Sequence, residues 1–245
     1  MRIGILSDIH GNMPALEAVL TDMSRRQLDA MFCLGDLVGY GASPNEVTAE
    51  IKASGIPTIM GNYDDGVGFD RDECGCAYRD PGEKQRGHRS LLWTRDNTSH
   101  ENKAFLRSLV AEIRREAAGK RLLLVHGSPR RMNEYLFEDR PLSSFQRLAA
   151  SSNADIIVFG HTHRPYTKLV DGVRFVNAGS VGKPKDGDWR ACYLILQPGA
   201  DEAVEFVRLE YDIDRAMQAI RHTDLPGEFA DDLRQGMAPA EAEST

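Results

Sequence analysis

The sequence predicts an α/β fold in which strands and helices alternate along the first half of the chain. Short apolar runs alternate there with amphipathic segments, as they do in parallel βαβ units. A chain of 245 residues is long enough to bury a full core in one large domain. Several of the apolar runs end at polar side chains, and α/β folds place their functional sites at such strand ends. We therefore expect one site at one edge of a sheet.

The elements of the first half follow from hydrophobic periodicity and from capping residues. Asn12 is a suitable N-cap, and Pro14 lies in the first turn of its helix, where a missing N–H costs nothing. The run Ser43-Pro44-Asn45-Glu46 has the spacing of a capping box. In chain order the predicted elements are a strand at 2–7, a helix near 13–26, a strand at 31–35, a helix near 44–54, a helix from Thr98 to about Glu116, a strand at 121–126, a helix near 142–150 and a strand at 155–160.

Two regions depart from this alternation. Residues 66–97 are rich in Gly, Asp and Arg and show little periodicity, so we interpret them as an insertion near the site, with a short helix at His88–Trp93. From residue 166 onwards, short β-rich segments at 166–170, 173–177, 191–196 and 204–210 predict hairpins in a second, more antiparallel sheet. Asp212 is expected to cap a last helix that ends near His222.

Composition excludes several classes of protein. No apolar stretch approaches the ~20 residues that a membrane helix needs, and the N-terminus lacks a signal-peptide pattern, so we expect a cytoplasmic protein. The net charge of −7 argues against strong nucleic-acid binding, which usually requires a basic face. Cys74-Gly75-Cys76 has too short a spacing for a common zinc knuckle, and no second cysteine pair completes four ligands.

Five strand-like runs end at side chains that bind divalent metals. One Asp-x-His pair is weak evidence, but carboxylate, imidazole and carboxamide groups after five runs together indicate a site for zinc, manganese or iron. The candidate ligands and the runs that precede them are Asp8 and His10 after Ile3-Gly4-Ile5-Leu6, Asp36 after Met31-Phe32-Cys33-Leu34, Asn62 after Thr58-Ile59-Met60, His126 after Leu122-Leu123-Leu124-Val125, and His161 with His163 after Ile156-Ile157-Val158-Phe159. The patterns of metallo-β-lactamases and amidohydrolases do not fit this order.

The order Asp8-x-His10, Gly35-Asp36, Gly61-Asn62, His126, Gly160-His161-Thr162-His163 resembles the calcineurin-like metallophosphoesterases from residue 1 to about 185. The runs Ser7–Glu17 and Asn177–Gly182 look like the YfcE-like or diadenosine-tetraphosphatase-like branch of bacteria and archaea. This resemblance implies a four-layer αββα sandwich with two mixed β-sheets packed face to face and flanked by helices. We expect a single domain over 1–235 with the insertion at 66–97, followed by a mobile tail at 236–245.

The resemblance also implies a dinuclear centre of two divalent ions per chain, with Mn²⁺ favoured and Fe, Zn, Ni or Co able to fit. Asp36 would bridge the ions, because metals roughly 3.5–4 Å apart need an anion between them. The first ion would bind Asp8, His10, Asp36 and His163, and the second Asp36, Asn62, His126 and His161. The implied reaction is hydrolysis of a phosphate ester, and preferentially a phosphodiester, by a hydroxide that bridges the metals.

One position departs from the family pattern. Members usually have a histidine after the metal-binding asparagine, and that histidine helps to protonate the leaving group or to bind phosphate. Here the residue is Tyr63, which is a weaker acid at neutral pH, so it stands beside Asp36 and Asn62 as a catalytic candidate with an open role. His88 could replace the missing acid. Arg130 and Arg131 could bind a substrate phosphate through their guanidinium groups.

The predicted substrate is a small phosphate ester, with nucleotide-containing diesters suggested by the resemblance. Two alternatives stay open at this point. A protein-binding scaffold with the same fold would have weak activity, although such a scaffold has no reason to keep every ligand. A nuclease would use the same metals on a longer chain, although no basic and aromatic strip is evident. The sequence does not decide between a monomer and a homo-oligomer.

Overall fold

The computed structural model describes residues 1–77, 80–199 and 202–237. The strands of the described part are β1 (Ile3–Leu6), β2 (Ala30–Cys33), β3 (Glu112–Ala117), β4 (Lys120–Val125), β5 (Ile156–Phe159), β6 (Tyr166–Val170), β7 (Val173–Asn177), β8 (Ala191–Gln197) and β9 (Ala203–Leu209). Its helices are α1 (Met13–Ser24), α2 (Pro44–Ser54), α3 (Asn62–Gly68), α4 (Pro81–Asn97), α5 (His100–Ser108), α6 (Leu142–Ser152), α7 (Ile213–Arg221) and α8 (Glu228–Gln235).

The strands form two mixed sheets, in the orders β2-β1-β8-β9 and β3-β4-β5-β7-β6. β1 and β2 are parallel, as are β4, β5 and β7, while the other pairs are antiparallel. The predicted separate sheet after residue 166 was wrong, because β6 and β7 extend the sheet of β4 while β8 and β9 extend that of β1. The reason is burial. β8 is apolar and buried on both faces, so it occupies the interior of a sheet rather than an exposed hairpin.

The two sheets pack face to face, with helices on both outer faces. Ile5 of β1 and Leu124 of β4 lie in the shared interior between the sheets. Leu123, on the opposite face of β4, packs in a second cluster with Phe145 of α6. The outer face of the other sheet is covered by α1, α2, α7 and α8, with Leu16 of α1 in that cluster. The four-layer αββα prediction is therefore confirmed.

Capping explains where several helices begin. The Asn12 side chain accepts a hydrogen bond from the Ala15 backbone N–H at 3.2 Å, as predicted for the N-cap of α1. The range of α2 agrees with the predicted 44–54, but Ser43 makes no side-chain capping bond, so the predicted capping box is absent. Asp212 caps α7 as expected. α8 was not predicted.

The predicted helix from Thr98 to about Glu116 is only half correct, because α5 ends early and β3 follows. In β3, Ile113 pairs with Leu124 of β4. The hairpin between these strands turns at Gly119, whose φ of 78° is readily adopted by glycine. Pairing with a buried strand thus outweighs the helical spacing of the apolar residues.

The insertion at 66–97 contains far more helix than its sequence indicated. The predicted short helix at His88–Trp93 is part of α4, whose N-cap Asp80 accepts a hydrogen bond from the Glu83 N–H at 2.9 Å. Its buried face is made largely of small or polar residues, so the helix has little apolar periodicity. These buried residues are Gly87, Ser90, Leu91 and Thr94.

Two other predictions concern the ends of the chain and its membrane behaviour. Of the tail at 236–245, residues 238–245 lie outside the described part. Within the described part, no helix combines the length and the apolar character needed to cross a bilayer.

Candidate metal centre

The candidate ligands converge at one edge of the sandwich, between the two sheets. They form two groups whose potential ligand atoms lie within 4.8 Å of one another in each group. Every member is at most 3% exposed. The first group is Asp8, His10 and His163, and the second is Asp36, His126 and His161. Each group combines loops that follow β1 or β2 with loops that follow β4 or β5, so both sheets contribute to each.

The carboxylate of Asp36 lies between the two groups. Its Oδ2 atom is 3.7 Å from His10 Nε2 and 3.4 Å from His126 Nε2. Its Oδ1 atom accepts a hydrogen bond from the Tyr63 backbone N–H at 2.8 Å, which fixes the orientation of the carboxylate. On the far side, the Asn62 carboxamide oxygen is 3.1 Å from His126 Nε2. Asp36 Oδ2 thus faces a histidine of each group.

Three of the histidines are oriented by backbone carbonyls. A carbonyl can only accept, so Nδ1 carries the proton in each and Nε2 is left as the ligand atom. The acceptors are Val38 for His10 at 3.0 Å, Leu34 for His126 at 2.8 Å and Lys183 for His163 at 2.5 Å. These bonds set the ring orientations before any ligand binds.

Two buried polar atoms in this centre accept or donate no hydrogen bond among the described residues, namely Asp8 Oδ1 and His161 Nε2. The other Asp8 oxygen is fully engaged, by the Ser7 hydroxyl at 2.5 Å and by the His161 N–H at 3.0 Å. Buried polar atoms normally have partners, because an unsatisfied one costs about 1–3 kcal/mol. A cation bound among these atoms would satisfy both, so the donor set fits divalent metals.

Asp64 supports the centre from behind and was not identified from the sequence. Its carboxylate accepts hydrogen bonds from the backbone N–H groups of Asp36, Leu37 and Gly61 at 2.7, 2.9 and 2.9 Å. Burial and the negative charge of Asp36 raise the pKa of Asp64 to about 7. The side chain therefore joins the loop after β2 to the start of α3. Its position three residues after Gly61, as in a capping box, was the available signal.

The electrostatics of the centre favour neutral imidazoles at most positions. Burial lowers the pKa of both His10 and His161 to about 3. Burial also acts on His126, but there the Asp36 carboxylate outweighs it and raises the pKa to about 10. For Asp8, burial opposes ionisation, yet the nearby imidazoles, His163 first, lower its pKa. A neutral imidazole and an ionised carboxylate are the forms that bind metal.

Backbone strain is concentrated at the same residues. A positive φ is uncommon outside glycine and is most often kept at functional sites. Five of the candidate ligands adopt it, with φ of 54° at Asp8, 50° at His10, 54° at Asp36, 64° at His161 and 60° at His163.

Residues after β7 hold these strained loops in place. The Asn177 carboxamide donates to the Gly160 carbonyl at 2.8 Å and to the Thr162 hydroxyl at 3.0 Å. The Ser180 hydroxyl donates to the Asp8 carbonyl at 2.7 Å. The Asn177–Gly182 run thus acts on the ligands indirectly, by positioning the loops that bear them.

The cysteine pair lies beside the second ligand group. The Asn62 amide nitrogen donates to the Cys74 carbonyl at 3.1 Å and to Cys76 Sγ at 3.2 Å. The two thiols do not complete a three-ligand metal group with any described His, Asp or Glu. Their contacts instead orient Asn62, whose oxygen then faces His126.

The remaining candidates from the sequence occupy three different environments. Tyr63 is 1% exposed, and its ring meets His10 edge-on with centroids 5.5 Å apart. His88 is exposed on α4 and lines a neighbouring pocket with Cys74 and Cys76. Arg130 and Arg131 are exposed on the loop after β4, where Arg130 forms an ion pair with Glu134. Only Tyr63 among these four packs directly against a candidate ligand.

Sequence reasoning missed two further side chains near the ligands. The Tyr135 ring stacks at a tilt on His161, with centroids 4.0 Å apart. The ammonium of Lys185 is close enough to His163 to lower its pKa, in addition to the larger effect of burial. Both residues come from loops remote in sequence from the ligands they approach, so no local motif indicated them.

A buried, strained edge with two groups of oxygen and nitrogen ligands defines a metal-binding protein of the α/β class. A family model described as the calcineurin-like phosphoesterase superfamily domain matches residues 1–200, and the chain belongs to this superfamily. The resemblance seen in the sequence is thereby confirmed. Phosphoesterases are hydrolases, and this family depends on metal ions. The chain is therefore a hydrolase of the metallophosphoesterase type, and its two candidate ligand groups agree with that dependence.

Similar proteins come from bacteria and archaea. An uncharacterized protein of Methanocaldococcus jannaschii is 36% identical over 241 residues, covering 91% of this chain and 93% of the relative. The phosphodiesterase YfcE of Escherichia coli is 24% identical over 198 residues, covering 77% and 83%. A solved metallophosphoesterase from Sphaerobacter thermophilus has a TM-score of 0.78 at 29% identity, covering 96% of this chain and all of that one.

Proposed function

We propose that this protein is a dinuclear, metal-dependent phosphodiesterase. The observation that carries the proposal is the position of Asp36 Oδ2, which is 3.7 Å from the nearest histidine nitrogen of one ligand group and 3.4 Å from that of the other. A shared carboxylate is what two closely spaced cations require. Mn²⁺ is the metal we favour, since oxygen and imidazole ligands suit it, and the cytoplasm is the proposed location.

The ligand sets follow from the two groups. Asp8, His10, Asp36 and His163 would hold one ion, and Asp36, Asn62, His126 and His161 the other. When bound, such a pair of ions supplies an activated water as nucleophile and neutralises charge on the phosphoryl group. With neutral histidines, the carboxylates of Asp8 and Asp36 would offset only part of the charge of two divalent ions, so the centre would stay positive and would attract an anionic ester.

The residues of the chain prepare this centre before substrate arrives. The carbonyl bonds to His10, His126 and His163 direct each Nε2 inward. The Tyr63 N–H holds Asp36 Oδ1, which leaves Oδ2 for the metals. Such preorganisation reduces the rearrangement needed during reaction. The Tyr63 ring packs against His10, and its place among the catalytic residues, with an open role, stays a prediction.

Two considerations favour diesters over monoesters. A diester group carries one negative charge where a monoester at neutral pH carries up to two, and the centre lacks the family histidine that would provide an added cation. The Escherichia coli relative is named a phosphodiesterase, and that name supports the same class for this chain. Nucleotide-containing diesters are the substrates we propose to test first.

Hydrolysis of bis-p-nitrophenyl phosphate and of p-nitrophenyl phosphate tests the proposal. Chelator-treated protein would be assayed with and without Mn²⁺, beside an Asp36→Asn variant that keeps the side-chain shape but removes the bridging charge. Asp171→Asn is the matched control, because Asp171 is an exposed turn residue between β6 and β7. Metal content would be measured in every sample.

We expect Mn²⁺-dependent cleavage of the diester, faster than that of the monoester, in the wild type and in the control. Asp36→Asn should lose at least about 10²-fold in rate, since removing an electrostatic group from a catalytic centre costs about that much. Metal binding without turnover of either ester would contradict the phosphodiesterase class tested here. Absence of metal binding would favour the scaffold alternative.

A further inference from the structure

A second pocket lies beside the metal centre and has a different chemistry. It lies between α4, α8 and the loop after β7 and has a cavity volume of about 30 Å³. Its polar lining includes Arg86, Lys183 and Lys185 as cations and Glu83 and Asp232 as carboxylates. Three positive and two negative side chains leave an excess of one positive charge. The local excess is opposite in sign to the net charge of −7 of the whole chain.

The local sequence explains why both lysines face this pocket. Pro184 separates Lys183 from Lys185, and a residue before proline is restricted to extended backbone. Side chains two positions apart in an extended segment point to the same side. Both lysines accordingly line the pocket. Their positive charges repel each other, and the carboxylates of Glu83 and Asp232 in the same pocket offset part of that repulsion.

The same segment is attached to a metal-ligand candidate. The Lys183 carbonyl accepts the Nδ1 hydrogen bond of His163 at 2.5 Å, and the Lys185 N–H donates to the His163 carbonyl at 3.2 Å. On the opposite wall, the Tyr40 ring lies edge-on to the His10 ring with centroids 4.9 Å apart. The pocket is therefore held at a fixed position relative to His10 and His163 of the first ligand group.

The cations of the pocket differ in how far they are already engaged. The Lys183 ammonium pairs with Asp232 at 3.2 Å and lies over the rings of Tyr40 at 4.9 Å and Phe229 at 5.1 Å. Lys183 thus has a structural role. By contrast, the side chain of Lys185 has no hydrogen bond or ion pair within the described ranges, and the Glu83 and Asp8 carboxylates act on it only through longer-range electrostatics. Its ammonium can therefore contact a ligand directly.

We propose that this pocket binds a second phosphate group of the substrate, with Lys185 as its main contact and Arg86 as a further one. The inference rests on the proposed function and deepens it, because it restricts the substrates to phosphodiesters that carry another phosphate. An ammonium and a guanidinium both form charge-assisted hydrogen bonds to phosphate oxygens. The attachment of the lysine segment to His163 sets the separation between that phosphate and the scissile one.

Two substrates that differ by a single phosphate test this proposal. Thymidine 5′-(p-nitrophenyl phosphate) has one phosphate, and its 3′-phosphorylated form has two, with the same bond cleaved in both. The Mn²⁺-loaded wild type would be compared with Lys185→Gln, with Lys185→Arg and with the control Lys52→Gln. Lys52 is a surface lysine of α2 paired with Glu101, so its change removes the same charge elsewhere.

We expect the wild type and Lys52→Gln to prefer the two-phosphate substrate by about tenfold in kcat/KM, mainly through KM, as the loss of one charge-assisted hydrogen bond would produce. Lys185→Gln should reduce this preference to about one, and Lys185→Arg should restore most of it. Equal kcat/KM for both substrates in the wild type, or a preference that survives in Lys185→Gln, would overturn the proposal.

A binding measurement separates this proposal from the proposed function. Thymidine 3′,5′-bisphosphate would be titrated calorimetrically into Asp36→Asn and into Asp36→Asn combined with Lys185→Gln. Weaker binding by about tenfold in the double variant would support the phosphate pocket even if the wild type hydrolysed nothing. Equal binding by both variants would overturn it even if diester hydrolysis were established.

Discussion

At the scale of single residues, the centre is defined by which atoms are already engaged. Each carboxylate has one oxygen fixed by the protein and one directed at the site, as the Ser7 and His161 contacts to Asp8 show. His10, His126 and His163 repeat this division between Nδ1 and Nε2. A positive φ at Asp8 and His10 stores strain that the surrounding hydrogen bonds maintain. The orientation of the ligand side chains thus depends on hydrogen bonds from neighbouring residues as well as on the ligands themselves.

His126 leads to a prediction about pH. Its pKa of about 10 in the metal-free protein means that it is protonated at neutral pH, whereas His10 and His161 are already neutral. Metal binding must displace that proton, so Mn²⁺ affinity should rise by about tenfold per pH unit between pH 6 and 8. Calorimetric titration in two buffers of different protonation enthalpy should detect about one proton released per chain.

Affinity that does not change with pH, with no proton release, would contradict the charge state assigned to His126. The direction of the pH dependence of Mn²⁺ affinity follows from the direction in which the pKa of His126 is shifted. A pKa raised by Asp36 favours the protonated form, which competes with the metal, so acid weakens binding.

Tyr63 leads to a second prediction at this scale. Its ring is buried between His10 and Gly39, where a Cβ on the glycine would come within 2.3 Å of the ring. Tyr63→Ala should destabilise the fold by about 3–5 kcal/mol, the usual cost of deleting a buried aromatic ring, and should weaken Mn²⁺ binding through His10. Tyr63→Phe keeps the ring and should retain most of that stability and affinity.

Chemical denaturation and Mn²⁺ titration of both Tyr63 variants would check this expectation. Equal losses in Tyr63→Phe and Tyr63→Ala would mean that the hydroxyl, rather than the ring, is what the site requires. A diester with an alkyl leaving group adds a test of acid catalysis, because poor leaving groups depend most on proton donation.

At the scale of elements, the junctions between strands and helices place the ligands. Gly61 ends the segment before α3 with a φ of −91°, which any residue can adopt, so its role is to leave space. A Cβ there would lie 2.1 Å from Asp36 Oδ1. The close approach lets the start of α3 donate its Tyr63 N–H to the bridging carboxylate.

Gly61→Ala should therefore displace Asp36 and reduce Mn²⁺ affinity by at least about tenfold, because outer contacts of metal ligands typically contribute that much. Gly227→Ala is the matched control, since it has an ordinary helical φ of −61° and no atom within 4 Å of the added Cβ. Calorimetric titration of both variants with Mn²⁺ measures the two affinities to be compared. An unchanged affinity in Gly61→Ala would show that the carboxylate position is not critical.

Elements with strong local signals were predictable from the sequence, and those shaped by distant contacts were not. α2, β6 and β7 agree with their predicted ranges because proline and turn residues mark them locally. α4 was underestimated, since its buried face is small and polar. The candidate ligands follow strand ends, so polar residues after apolar runs indicated them in the sequence, while their assignment to two ions came from the family resemblance. Asp64 and Lys185 act through contacts with residues 28 and 22 positions away, which no local pattern encodes.

At the scale of the whole molecule, the local charge proposed around the site is opposite in sign to the net charge of the chain. The chain carries a net charge of −7, yet the centre would be positive with the two proposed ions bound, and the pocket beside it has one more cationic than anionic side chain. A local positive field within a negative protein attracts small anions while repelling long polyanions such as nucleic acid. This distribution agrees with small phosphate esters as substrates.

The two sheets meet at the candidate metal centre, so metal binding there would be linked to global stability. Asp8 and His10 follow β1 of one sheet, whereas His161 and His163 follow β5 of the other. Each proposed ion would bind residues from both sheets, so it would hold together the two halves of the sandwich. Metal that binds only the folded form stabilises it by mass action.

Mn²⁺ should consequently raise the melting temperature of the chelator-treated protein. At 100 times Kd, each ion would add about 2.7 kcal/mol, which corresponds to roughly 5–10 °C for a chain of this size. Calorimetric scans with and without Mn²⁺ measure the shift, with Asp171→Asn as a control that keeps it and Asp36→Asn as a variant that loses most of it. If Mn²⁺ left the melting temperature unchanged, the ions would not join the two sheets, and the ligand sets assigned to both of them would be wrong.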